Sequence, residues 1–255
     1  MVFDTHVRGV FEPGFIRVCS WLTLTGALLT TLTAMAIDPA QSIDSFTLDS
    51  GLLEPVRFVA MAMMLFTFVF AYFLRRPDEQ FLTQATGATA VGLSVVLLML
   101  LAWLVREPTW GVLGPLLMMF AGSMVLGTSM VAMVWGHWYL VNPKLEEGPL
   151  NELSLITLGS VLAAALVTAI NAVIPVGTPI TSEALLAVSL PENPGFWLRV
   201  VIGLIFPAAL AFMAYKSSTE RSMRSATGLL YIAVGAVLAG EALARGLLFV
   251  TGAPI

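Results

Sequence analysis

Residues 225–252 read SATGLLYIAVGAVLAGEALARGLLFVTG. The run is long enough to cross a bilayer, which takes roughly 20 apolar residues in a helix, yet it carries Glu241 and Arg245. A charge facing hydrocarbon costs about 3 kcal/mol even on the gentlest insertion scale, so neither side chain is expected to face lipid. Four residues apart on a helix they share one face, with the acid N-terminal to the base, the favourable order for a pair. That face must look into protein or water, and the remaining segments are read as what encloses it.

Composition sets the class. Of 255 residues, 58% are hydrophobic and 11% charged, against about 25% charged in a soluble domain. Seven apolar runs are long enough to span, at Phe15–Ile37, Glu54–Leu74, Gln84–Val105, Leu113–Val141, Leu153–Ile174, Gly195–Tyr215 and Ser225–Val250. The expectation is an all-α, polytopic integral membrane protein of one domain, 1–255, with the lipid bilayer as its first partner. The N-terminal residues lack the short apolar core and cleavage site of a signal peptide, so the first run is expected to stay as a helix. No basic cluster points to nucleic acid. Cys19 is the only cysteine, which excludes intrachain disulfides, thiolate zinc sites and protein-bound iron–sulfur clusters.

Basic residues set the orientation. Arg8, Arg17, Arg75, Arg76, Lys144, Lys216, Arg221 and Arg224 fall in the N-terminal segment and in connections on one side, while 38–51 and 175–194 on the other hold no Lys or Arg. The N-terminus is therefore expected to be cytoplasmic and the C-terminus outside, in a bacterial inner membrane. Arg106 alone dissents. Within the second outer connection, Ser182–Leu190 is expected as a short interfacial helix. Pro55, Pro115 and Pro194, near segment starts, suit the first helical turn, and Pro207 is expected to kink the sixth helix. Gly87 and Gly92 in the third segment, with Gly122 and Gly127 in the fourth, predict close helix–helix approach. The starts at Pro13-Gly14-Phe15 and Pro194-Gly195-Phe196 echo each other, which is read as a chance match at helix starts in preference to the relic of an inverted repeat.

At about 1.5 Å per residue, Glu241 and Arg245 sit in the outer part of the seventh helix. Arg57 enters the second helix from the same side, and Arg199 the sixth. These four residues make one candidate pocket, because arginine forks suit carboxylate, phosphate or quinone-carbonyl oxygens. The plainer alternative is that Arg57 and Arg199 reach to the surface along their own stems. A second candidate site lies at the inner face, where the fourth helix ends in His137, Trp138 and Tyr139. There the choice is between an interfacial aromatic belt and a quinone or haem contact through His137. A haem held by two histidines of this chain lacks its second ligand, since His6 lies outside the spans.

Several classes lack their groups. No lysine lies within a segment, so a retinal Schiff base has no donor. HExxH, GxSxG, a Walker sequence and paired intramembrane aspartates are all missing.

Gly240-Glu241-Ala242-Leu243-Ala244-Arg245-Gly246-Leu247-Leu248-Phe249 resembles the Gly-Glu-x-x-Gly-Arg-x-x-Phe pattern of membrane-anchor subunits of dimethyl-sulfoxide-reductase-type enzymes. Ala244 stands for the second glycine and the phenylalanine falls one residue late. The resemblance implies a quinol-binding membrane subunit that passes electrons to a partner bearing iron–sulfur clusters. The segments GHWYLVNPKL and SATGLLY look like those of bacterial multi-helix membrane proteins of unknown role. The expectation is a quinone-associated subunit of an electron-transfer complex, with no covalently bound cofactor or metal, other subunits as partners, and Glu241 as proton acceptor. A small-anion carrier or channel, and a structural or assembly subunit, remain as alternatives.

Overall fold

The computed structural model describes residues 2–9, 11–37, 50–106, 109–142, 145, 148–176 and 190–255. Among them every regular element is helical: α1 (Val2–Arg8), α2 (Pro13–Ala36), α3 (Ser50–Phe73), α4 (Gln80–Leu104), α5 (Leu113–Val141), α6 (Gly148–Val173), α7 (Pro194–Val200), α8 (Phe206–Thr219) and α9 (Met223–Thr251). A π turn, Val201–Ile205, joins α7 to α8 so that the two form one span. Among the described residues seven spans are long and apolar enough to cross a membrane. The protein is an all-α, multi-pass integral membrane protein whose spans contact the lipid bilayer. The helix expected at Ser182–Leu190 lies, all but its last residue, outside the described residues.

Helix ends differ from expectation where local chemistry extends them. The α3 helix begins at Ser50, a turn early, because Leu53, Val56, Ala60 and Met63 already form one buried stripe at helical spacing. Pro55 consequently stands inside the helix rather than in its first turn. The α6 helix opens at Gly148-Pro149, again earlier, with the proline in the first turn where its missing N–H is harmless.

The described residues fall into two compact units, α1 to α4 and α5 to α9. In the first, α3 packs between α2 and α4, around Ala27, Ala34, Val56, Ala60, Met63 and Leu97. Thr31 Oγ1 crosses from α2 to donate to the Ala60 carbonyl at 3.1 Å. The short α1 packs on α2 and α4, with Phe3 edge-on to Phe70 at 6.2 Å and His6 edge-on to the same ring at 5.9 Å. A Cβ on Gly87 would strike both the Phe3 ring of α1 and the Phe70 ring of α3, so this glycine lets both come close to α4 as expected. Gly92 has nothing within 4 Å of where its Cβ would be, so the close approach expected there does not occur.

In the second unit, α9 is the helix the others are built on. Half of its apolar window is buried in protein, the largest share of any span. It packs against α5, α7, the π turn and α8, while α6 packs against α5 and α8, around Val125, Val161, Ala164, Leu204 and Val237. Gly136 of α5 faces the Thr227 side chain of α9 closely enough to exclude a Cβ. At the far end Gly252 closes α9 in the left-handed region (φ +70°), its N–H bonded to the Leu248 carbonyl at 2.9 Å. That conformation is nearly free for glycine and marks a common helix stop. The chain then folds back, burying Ala253 and Ile255 beside Leu247. Asn171, fully buried, ties this end together: its Nδ2 donates to the Gly114 and Pro254 carbonyls and its Oδ1 accepts from Trp110 Nε1.

Candidate functional site

Glu241 lies about 15 Å along the axis from the end of α9, well inside the span, and is 6% exposed. Both its oxygens are met by arginines. Arg199 Nη2 approaches Oε1 at 2.9 Å, and Arg245 Nη2 approaches Oε2 at 3.3 Å. Arg199 is 3% exposed, so it does not reach the surface along its stem. Three of the four residues of the candidate pocket, Arg199, Glu241 and Arg245, thus form one triad within the second unit, the first two buried and Arg245 half-buried.

The local backbone explains how an arginine so bulky is accommodated. Asn193 caps α7, its Oδ1 accepting from the Gly195 N–H at 2.9 Å, and Pro194 opens the helix. Arg199 then falls on the last turn of α7, immediately before the π turn. That turn is closed by the Phe206 N–H bonding the Val201 carbonyl, five residues back. Pro207 follows and has no N–H to offer the Gly203 carbonyl four residues behind it. Arg199 Nη1 donates to that carbonyl at 3.4 Å. The kink expected at Pro207 is therefore realised as an inserted residue just ahead of it, and π insertions of this kind concentrate at functional sites.

Glycines provide the remaining space. A Cβ on Gly203 would lie 2.7 Å from the Gly240 Cα and 2.7 Å from Arg199 Nη1, and one on Gly240 would strike Gly203 in turn. The two backbones touch there, which brings Arg199 within reach of α9. On the third side, a Cβ on Gly122 of α5 would overlap Glu241 Oε2 and come within 3.0 Å of Arg245 Nη2. The close approach expected at Gly122 is thus to α9, with the carboxylate filling the space.

With all three groups ionised the triad carries one net positive charge. Arg199 Nε, Arg245 Nη1 and Glu241 Oε2 are shut off from solvent and make no hydrogen bond. Arg245, whose side chain is 34% exposed, forms the open edge of the cluster. Chemically the arrangement offers two buried N–H donors and one acceptor to an oxygen-bearing group. Among the described residues no three His, Cys, Asp or Glu side chains gather in a way that would hold a metal ion.

Arg57, the fourth residue of the candidate pocket, is engaged within the first unit. Its Nη2 donates to the Ile37 carbonyl at 2.7 Å, its Nε to the Ala34 carbonyl at 3.2 Å, and its Nη1 pairs with Glu54 at 2.7 Å. It caps the C-terminus of α2, whose last carbonyls have no partner within their own helix. The residues of the second candidate site diverge: His137 is exposed, Trp138 and Tyr139 are half-buried, and successive residues turn by about 100°. His137 Nδ1 meets the Tyr231 hydroxyl at 3.0 Å, rings edge-to-face, a partner that sequence reading missed because it comes from α9. An apolar groove of about 610 Å³ also opens between α7 and α9, lined by Leu198, Ile202, Ala242 and Gly246 among others. Ala242 and Gly246 each follow a triad residue by one position, so groove and triad occupy different faces of α9.

No protein-family model matches the chain, and comparison with curated proteins and with solved structures finds no match.

Proposed function

We propose that the protein is the quinone-associated membrane subunit of a bacterial electron-transfer complex, with the Arg199–Glu241–Arg245 triad as the polar end of its quinone site. The observation that carries this reading is the set of buried donors without partners beside a buried carboxylate, in the stretch that resembles quinol-binding anchor subunits. Quinone carbonyls are acceptors, which Arg245 Nη1 and Arg199 Nε fit, and a quinol hydroxyl is a donor, which Glu241 Oε2 fits. In this reading oxidation of the quinol to quinone releases two protons and two electrons: Glu241 takes the first proton, the second passes to solvent at the open edge beside Arg245, and a partner subunit bearing the redox centre takes both electrons. The distribution of Lys and Arg supports placement in the inner membrane with the N-terminus cytoplasmic, which puts the triad in the outer third of the bilayer. The test is lipid extraction of the purified protein together with quinol-linked electron flow in native membranes. Quinone is expected to copurify, and Glu241→Gln to abolish the flow; no quinone, or unchanged flow in Glu241→Gln, refutes the proposal.

A second reading makes the triad a register device, favoured by both Glu241 oxygens being held by arginines. Replacing all three residues by apolar ones of similar volume separates the two. A register role predicts loss of a single well-ordered state, whereas a binding role predicts a folded protein of equal or greater stability that binds nothing.

A further inference from the structure

We infer that the ligand group received by the triad carries one negative charge on oxygen. This rests on the reading of the triad as a binding site and not on the identity of the ligand as a quinone. Arg199 and Arg245 are two fixed cations, for a guanidinium does not lose its proton in proteins, and Glu241 supplies one anion. A cluster with one unmatched charge, most of its polar atoms shut off from solvent, is costly unless a counter-charge joins it. The spare valences agree in kind: Arg199 Nε and Arg245 Nη1 are donors with no acceptor, both away from solvent. Arg199 is itself almost wholly buried, and Arg245 is the open edge through which a group can enter. Glycine at 122 and 203 keeps the surrounding backbone back from the same charges. A single carboxylate, phosphodiester or phenolate oxygen matches the deficit of charge and the surplus of donors together; a neutral carbonyl matches only the second.

Two sources share this chemistry, a free carboxylate or oxyanion and the phosphodiester of an anionic lipid. The experiment uses the full chain in nanodiscs of phosphatidylcholine, with thermal unfolding followed during titration with decanoate or with decanol, its neutral counterpart. Decanoate is expected to raise the melting temperature saturably and decanol not. Arg245→Gln, which leaves the triad neutral, is expected to abolish the effect. Glu241→Gln, which raises the net charge by one, is expected to tighten decanoate at least about tenfold, the scale of one charge removed a few ångströms away. Gly122→Ala, which intrudes on Glu241 and Arg245, is expected to weaken binding and serves should Glu241→Gln fail to fold. If phosphatidylglycerol in the nanodisc reproduces the shift and blocks decanoate, the group is a lipid headgroup; if it does neither while decanoate binds, it is a free anion. Equal effects of decanoate and decanol, or of decanoate on wild type and Arg245→Gln, overturn the inference. Quinone binding in that event leaves the proposed function standing, whereas decanoate binding that quinone never displaces removes the quinone and keeps the anion.

Discussion

Substituting alanine for Gly203 tests the arrangement at its tightest point. The added Cβ would sit 2.7 Å from the Gly240 Cα and 3.1 Å from Arg199 Cδ, where carbon atoms rest about 3.5–4.0 Å apart. Neither neighbour is the free end of a flexible side chain: one is backbone and the other is held by its bond to Glu241. The π turn must therefore move about 1 Å away from α9. Overpacking of this kind costs about 1–3 kcal/mol, and the figure climbs toward about 3–5 kcal/mol if Arg199 is pushed off the carboxylate and leaves it unmatched. At roughly 2–4 °C per kcal/mol for a chain of this size, thermal unfolding in detergent is expected several degrees lower than wild type. Gly235→Ala is the control on α9, since nothing lies within 4 Å of its Cβ position. Relief of glycine's backbone entropy should make that variant neutral or more stable by up to about 1 kcal/mol. If Gly203→Ala and Gly235→Ala melt together, the backbones of the π turn and α9 are not in contact and the enclosure described for Arg199 is wrong.

Substitutions at three other places probe separate parts of the structure. Arg57→Met orphans the carbonyls at the end of α2, at about 1–3 kcal/mol for each group left unpaired, and should lower the melting temperature, whereas Glu54→Gln removes only an exposed pair worth less than about 1 kcal/mol. Asn171→Leu strands Trp110 Nε1 and two carbonyls at once and is expected to melt well below wild type, an outcome absent if the contacts are incidental. Burial against Phe70 holds the His6 imidazole below its ordinary value of 6.5. Undocked α1 therefore binds a proton more readily than docked α1, so docking is complete above pH 6.5 and weakens as pH falls through the window beneath it. The mobility of a spin label at Val7→Cys should report this, and His6→Phe should remove the pH dependence.

What the amino-acid sequence made legible follows from the range of the forces involved. A span announces itself within its own 20 residues, because the bilayer asks the same of every turn, and all seven are found where the apolar runs place them. The pairing of Glu241 with Arg245 is local too, one helical turn on one face. Arg199 was harder. The starts at Pro13 and Pro194 share Pro-Gly-Phe, but the arginine follows proline by four residues in the first and five in the second, a difference of about 100° round the helix. Arg17 is exposed and Arg199 buried accordingly. The bonds of Arg57 to the end of α2 were not legible, because they depend on where that helix stops, 20 residues earlier in the chain. Glycine is the least informative residue in this respect: its lack of a side chain says nothing of what comes close. Gly92 faces open space, Gly87 an aromatic ring, Gly122 a carboxylate and Gly203 another backbone.

Polar groups away from solvent are used in two opposite ways, and the contrast bears on what the triad is for. Arg57 in the first unit and Asn171 in the second spend their hydrogen-bonding groups on carbonyls that helix ends leave over. Each lowers a cost the backbone imposes in hydrocarbon, and neither carries an unmatched charge to the interior. The triad does the reverse. It brings a second cation to a carboxylate that one would neutralise, leaves donors of both arginines without acceptors, and needs glycines on α5 and the π turn to fit at all. Holding the sixth span to α9 does not require this, since Leu204 and Val237 already pack in the same core without polar groups. Apolar side chains would make such an arrangement cheaper; on the reading proposed above, what the triad gives in return is the binding of an oxygen anion to its spare donors and its one spare positive charge.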